Sequence, residues 1–169
     1  ELSGEIGRRA DDIRQYSSVF TLQRCRKRRV HTGCVPMPLW NTRLLDLVDT
    51  CSVDGFATAS EAILAMADLL DTAPTQLAPF ITPRASRDRL ARLLEADAAV
   101  CAALELVGPL SGVLLSRAAG GSASGMVKIV DEIEEGNLFA ADPAIALVGA
   151  YGAALVKVSA HVGEQDEPG

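Results

Sequence analysis

Beyond residue 36, apolar residues recur at spacings of three and four, broken by proline and glycine. The pattern predicts a succession of helices. The first covers 40–51, with Leu44, Leu45, Leu47 and Val48 as its apolar face, and Asp54-Gly55 marks a turn after it. The next opens on Thr58-Ala59-Ser60-Glu61, a capping box in which each side chain covers an orphan backbone N–H of the other. Ile63, Met66 and Leu70 follow on one face, until Pro74, Pro79 and Pro83 stop the helix. Ser86 caps a third helix with the stripe Leu90, Leu93, Leu94, Cys101 and Leu104. Asp97 falls inside that stripe. Either the helix breaks there, with Asp97 capping a new one from Ala98, or a carboxylate projects into the core and needs a partner or ligand. Gly108-Pro109 ends this region, a short helix is expected over 110–117, and the Gly/Ser/Ala-rich text 118–125 reads as a flexible connection.

The most informative stretch is 126–162. Met126, Ile129, Val130 and Ile133 make one helical face, opposite the acids Asp131, Glu132, Glu134 and Glu135, and Gly136 supplies a helix stop. Asp142-Pro143 then opens a last helix, as a cap followed by proline at the first position. That helix carries two adjoining apolar stripes: Leu147, Tyr151, Leu155 and Val158, and Ile145, Val148, Gly152 and Val156. A helix apolar on nearly every side is buried, in its own core or against a second copy. The small residues Ala146, Gly149, Ala150 and Ala153 would let another helix approach closely. Glycine inside a helix costs about 1 kcal/mol relative to alanine, so tight packing must compensate for it.

Composition supports this helical picture. Aromatics make up 4 % of the 169 residues, while alanine, leucine and valine abound, which disfavours strands. The fold class expected is all-α: a multi-helix orthogonal or bundle domain ending in a two-helix hairpin. Charge divides the chain near Met37. Residues 1–36 hold eight basic and four acidic residues, a net of +4; 37–169 hold eight basic and eighteen acidic, a net of −10; the whole is −6. Arg24, Arg26, Lys27, Arg28 and Arg29 form the densest basic run. It reads as a solvated tail, a contact for nucleic acid phosphates, or a membrane-surface segment. The first thirty residues lack the apolar core of a secretory signal, and the apolar text 143–156 is shorter than the roughly 20 residues of a span. A soluble, cytoplasmic protein with no membrane contact is expected.

Reactive groups are sparse. Four cysteines are too few for a disulfide framework in a chain of this size, and Cys101 sits on an expected buried face. In the set Cys25, His31, Cys34 and Cys51, the His-x-x-Cys spacing would suit zinc, but Cys-x5-His is not a common knuckle and Cys51 lies beyond a predicted helix start, so no metal is assigned. Of the two histidines, His31 and His161, neither stands at a recognisable catalytic spacing from a serine or cysteine. The run Gly120-Gly121-Ser122-Ala123-Ser124-Gly125 lacks the Lys-Ser/Thr of a phosphate loop. Neither an enzyme nor a cofactor is expected.

The text Glu134-Glu135-Gly136-Asn137-Leu138-Phe139-Ala140-Ala141-Asp142-Pro143, followed by Gly149-Ala150, resembles the end of regulators of the tetracycline-repressor (TetR) family. The stretch Leu90–Asp97 is similar to that family's ligand-binding helices. The resemblance implies that the last two helices pair with their symmetry mates into a four-helix dimer interface, here through Ile129, Ile133, Ile145, Val148, Gly149, Gly152 and Val156. It also implies a helix-turn-helix near the N-terminus. Glu5-Ile6-Gly7-Arg8-Arg9-Ala10 is similar to its first helix, although Asp11 replaces the turn glycine and Ser17-Ser18-Val19 lacks the usual ending. In such a head Arg8, Arg9 and Arg14 contact phosphates while Gln15 and Tyr16 face base edges. The expectation is a basic arm over 1–36, holding a degraded helix-turn-helix, and a helical ligand-binding and dimerisation domain over 37–169. It would act as a ligand-responsive DNA-binding transcriptional regulator. Trp40, Phe56, Met66, Phe80, Leu94 and Asp97 would surround a small apolar effector. The alternative is a non-catalytic helical interaction domain whose last helix docks onto a partner.

Overall fold

The computed structural model describes residues 36–165. Helix α1 (Met37–Ser52) is followed by α2 (Ala59–Asp71), a 3-10 turn (Thr75–Leu77) and the single-turn α3 (Ala78–Ile81). Then come α4 (Arg87–Glu95), α5 (Ala99–Val107), strands β1 (Gly112–Arg117), β2 (Ala123–Lys128) and β3 (Gly136–Ala140), and the long α6 (Pro143–Gln165). The strands form an antiparallel sheet in the order β1-β2-β3.

The sheet overturns the all-α expectation. The anticipated helix over 110–117 is an edge strand, and the first helix of the hairpin dissolves into β2, a turn and β3. Residues 118–122, expected to be a flexible connection, form a tight hairpin. Ser122 C=O accepts from Ala118 N–H at 2.8 Å and Ala118 C=O accepts from Gly121 N–H at 2.9 Å, with Gly121 at φ 94°. This is a three-residue loop with glycine in the left-handed position. Gly136 ends no helix; it is the first residue of β3.

The local capping chemistry holds. Thr58 accepts from Glu61 N–H, and the Glu61 carboxylate turns back one residue further than a capping box requires, to Ala57 N–H. Ser86 accepts from Arg89 N–H, and Asp142 from Ala144 and Ile145 N–H. At Asp97 the helix does break, but by another device. Asp97 N–H bonds to Leu94 C=O and Ala98 N–H to Leu93 C=O, with Asp97 at φ 55°. This is a Schellman closure with aspartate in the left-handed seat that glycine usually holds. Asp97 therefore ends α4 from an exposed position instead of starting α5.

Helix α6 explains its own composition. It contacts β2 and β3 as well as α1, α2 and α5, so it is the middle layer of the described domain. Its small residues serve two neighbours. A Cβ on Gly125 of β2 would fall 2.5 Å from Ala146 C=O, and one on Gly136 of β3 would strike the α6 backbone at Ala150. The helix thus lies flush on the sheet where the strands carry glycine. Gly149 faces Leu138 and Cys51, and Gly152 faces Val48 and Met66. Close approach is real, but sheet and α1 make it. At 23 residues α6 also runs beyond the apolar text 143–156. Its part Pro143–Gly163 has the length and hydropathy of a membrane span, yet 67 % of that window is buried within the protein.

Candidate functional site

Among the described residues, the sheet is covered on one face only. Side chains alternate along a strand, and the register sorts them. Val113, Leu115, Gly125, Val127, Gly136 and Leu138 face the α6 side. Leu114, Met126 and Asn137 form one row of the opposite face, and Ser116, Ser124 and Phe139 the next. That outer face carries bare apolar groups: Leu114 is 59 % exposed and Phe139 72 %. Leu110, just before β1, is 72 % exposed, and Val113 on the inner face is still 37 % exposed because α6 sits over β2 and β3 and only grazes β1.

The two edges differ. The far edge, β3, lies against α1, and Asp54 accepts from Ala141 N–H at 3.5 Å. Among the described elements, β1 packs on β2 and lightly on α6. Its free backbone groups can be assigned. The hydrogen bond from Ala118 N–H to Ser122 C=O points residue 118 at β2, so by alternation 116, 114 and 112 also point there. Val113, Leu115 and Arg117 therefore aim N–H and C=O outward. Edges of this kind are usually blunted by charge, proline or a bulge. Here the register to β2 runs without a bulge, proline stops at Pro109, and Arg117 is the one charge on the strand.

The residues expected to surround an effector do not come together. Trp40 and Met66 are buried core, and the Trp40 Nε1–H donates to Leu69 C=O at 2.9 Å, fastening α1 to α2. Phe56, Phe80 and Leu94 pack half-buried at the margin of that core, and Asp97 is exposed. None of the six lines the apolar groove of about 400 Å³ between Pro83, Leu104 and Pro109. Nor do they line the hollow of about 560 Å³ beside Phe139 and the β1–β2 turn. Of the residues expected at a dimer interface, Ile145 and Val148 are buried by the chain itself, while Ile129, Ile133 and Val156 are half-buried against the same core. Arg8, Arg9, Arg14, Gln15 and Tyr16 lie outside the described residues, as do Cys25, His31 and Cys34. The helical hairpin that carried the resemblance to TetR regulators is absent, and neither transcriptional regulation nor DNA binding gains support from the described residues. Comparison with family models, curated proteins and solved structures finds no match.

Several charged side chains elsewhere tie one element to another. Arg84 and Arg87 both bond Asp71, and Arg87 also reaches Asp68 at 2.6 Å, which ties the start of α4 to the end of α2. Burial raises the Asp71 carboxyl, but the Arg87 and Arg84 bonds outweigh it and hold it below the usual range. Lys157 donates to Glu134 at 3.1 Å and to Glu135 C=O at 2.9 Å, pinning the β2–β3 connection to α6. Tyr151 is fully buried and, among the described residues, its Oη has no hydrogen-bond partner. A buried unpaired hydroxyl costs free energy, so Tyr151→Phe should stabilise the fold by about 1 kcal/mol, seen as a higher urea midpoint with unchanged slope. A lower midpoint would mean that the hydroxyl is satisfied in solution.

The described cysteines separate cleanly. Cys51 is buried, and burial pushes its thiol up to about 12, whereas Cys101, expected inside, is exposed. Its helix α5 is held by Ala102, Ala103, Leu106 and Val107 instead. At pH 8 an alkylating reagent should label Cys101 and leave Cys51 untouched until denaturant is added, as peptide mass spectrometry would report. Equal labelling rates would contradict the packing. Because folding favours the neutral Cys51 thiol, its contribution is full below the unfolded value of about 8.5 and is lost as pH rises from there towards the folded value.

Proposed function

We propose that this domain is an assembly module, which binds another protein by accepting its strand at the free edge of β1. One observation carries the reading: an edge left undefended among the described residues, backed by bare apolar side chains on both faces of the same strand. Strand addition gains main-chain hydrogen bonds from Val113, Leu115 and Arg117, with specificity from the side chains between them. Each such bond is worth about 0.5–1.5 kcal/mol net, so a strand of β1's length makes a modest contact that apolar burial must strengthen. Leu110, Val113 and Leu114 provide that burial. An effector-binding role finds less support, because the aromatic and methionine side chains it needs are spent on the core.

The reading is tested by placing a photo-crosslinking residue at Ser116, on the exposed edge strand, and separately at Arg92, on the exposed side of α4. Irradiation of the full chain in cells should give discrete adducts from position 116 and none from 92. Adducts at both positions alike, or at neither, would sink the assembly reading.

A further inference from the structure

The assembly reading leaves the partner open, and the edge itself narrows it. We infer that the strand added to β1 is the β1 of a second copy, paired antiparallel about a two-fold axis with Leu114 opposite Leu114. The inference rests on the assembly reading and adds to it the partner and the register.

Three observations carry it. First, the outward groups belong to odd-numbered residues, so hydrogen-bonded pairs across the new seam must match odd with odd. Placing Leu114 against its own counterpart does this. Val113 and Leu115 exchange bonds with Leu115 and Val113 of the second copy, and Arg117 meets Ser111. Leu114 then falls at a non-hydrogen-bonded position, where opposed side chains are closest. Second, this register matches like with like. Val113 meets Leu115 twice on the inner face, and the outer face gains a continuous row of Met126, Leu114, Leu114 and Met126. Shifting the centre to Leu115 sets Val113 against Arg117. Shifting it to Val113 sets Leu114 against Gly112 and Leu115 against Ser111. Third, charge permits the approach. The chain carries 22 acidic residues and a net charge of −6, yet none of the acids falls between Glu105 and Asp131, the stretch that forms β1, its hairpin and β2. Two copies of an acidic protein meet with least repulsion where both lack carboxylates.

The register makes a test that other partners fail. Solution mass of the full chain should rise to twice the chain mass with concentration. Leu114→Glu and Leu114→Lys should each weaken the association about tenfold or more, the equivalent of about 1.4 kcal/mol. An equimolar mixture of the two should restore it, because glutamate then faces lysine across the axis. Leu114 is largely exposed, so neither substitution threatens the fold. As a second variant, Val113→Pro removes an outward N–H without touching the ladder to β2 and should also give monomers. Amide exchange supplies an independent reading: Val113, Leu115 and Arg117 should be slow at high concentration and fast on dilution, with Leu114 and Ser116 slow throughout. Wild-type protein that stays monomeric at millimolar concentration, or a mixture that fails to restore pairing, overturns the inference. Adducts from position 116 to a different protein would overturn it as well while keeping the assembly reading; no adducts at all would remove both.

Discussion

Replacing Gly136 by alanine should cost about 3 kcal/mol or more, at the upper end of what overpacking a core usually costs. The added methyl would collide with backbone, not with a side chain that can rotate away: the Ala150 carbonyl oxygen, the Ala154 amide, and the Ala153 carbonyl carbon at 2.9 Å. To make room, α6 must lift from β3. Because α6 also holds β2, α1, α2 and α5, the displacement spreads through the core. A domain of this size has about 5–15 kcal/mol of stability in total, so the loss is a large share of it. The single tryptophan, fully buried at position 40, gives an intrinsic fluorescence signal for urea unfolding. Gly120→Ala is the matched control, since nothing lies within 4 Å of a Cβ there, and surface changes of that kind usually stay within about 0.5 kcal/mol. If the two variants unfold at the same midpoint, α6 does not lie flush on the sheet.

The same glycines show why part of this fold is legible in the sequence and part is not. Helix starts at Thr58, Ser86 and Asp142 are local chemistry, a side-chain oxygen meeting backbone N–H groups two or three residues on, and all three form. The strands are obscured by a conflict of periods. Ala123, Gly125 and Val127 alternate with Ser124, Met126 and Lys128 in the two-residue rhythm of a half-buried strand. Over the same text, Met126, Ile129, Val130 and Ile133 fit a helical face equally well. Ile129, Val130 and Ile133 do pack on the core, but from the turn after β2. β1 offers no alternation at all, because Val113, Leu114 and Leu115 are apolar in succession, and periodicity alone does not tell such a short run from a helical segment. Smallness is ambiguous in a different way. Ala146, Gly149, Ala150 and Gly152 announce close packing without naming the neighbour, and a glycine-bearing sheet answers the description as well as a second helix. The candidate site was beyond reach for a plainer reason: a free edge exists only once three strands have been ordered.

Trp40→Ala should destabilise the domain by about 3–5 kcal/mol, the usual cost of deleting a large buried aromatic. Trp40 has no exposed surface, and its indole N–H is fixed on Leu69 C=O at 2.9 Å. That bond spans α1 and α2, so the substitution leaves a void where the two helices meet. Trp40→Phe separates the contributions. Leu69 C=O still accepts from Thr72 N–H at 3.2 Å and Thr72 Oγ1–H at 2.9 Å, so the carbonyl is not stranded when the indole goes. Phenylalanine should therefore cost only about 1–2 kcal/mol, for the smaller ring and one lost bond. With a shift of about 2–4 °C per kcal/mol for chains of this length, thermal unfolding by circular dichroism should fall by roughly 10 °C for alanine and a few degrees for phenylalanine. An effector-contacting tryptophan behaves otherwise: its loss leaves the melting temperature of the free protein nearly unchanged and weakens ligand binding. Two variants that melt with the wild type would place Trp40 outside the core.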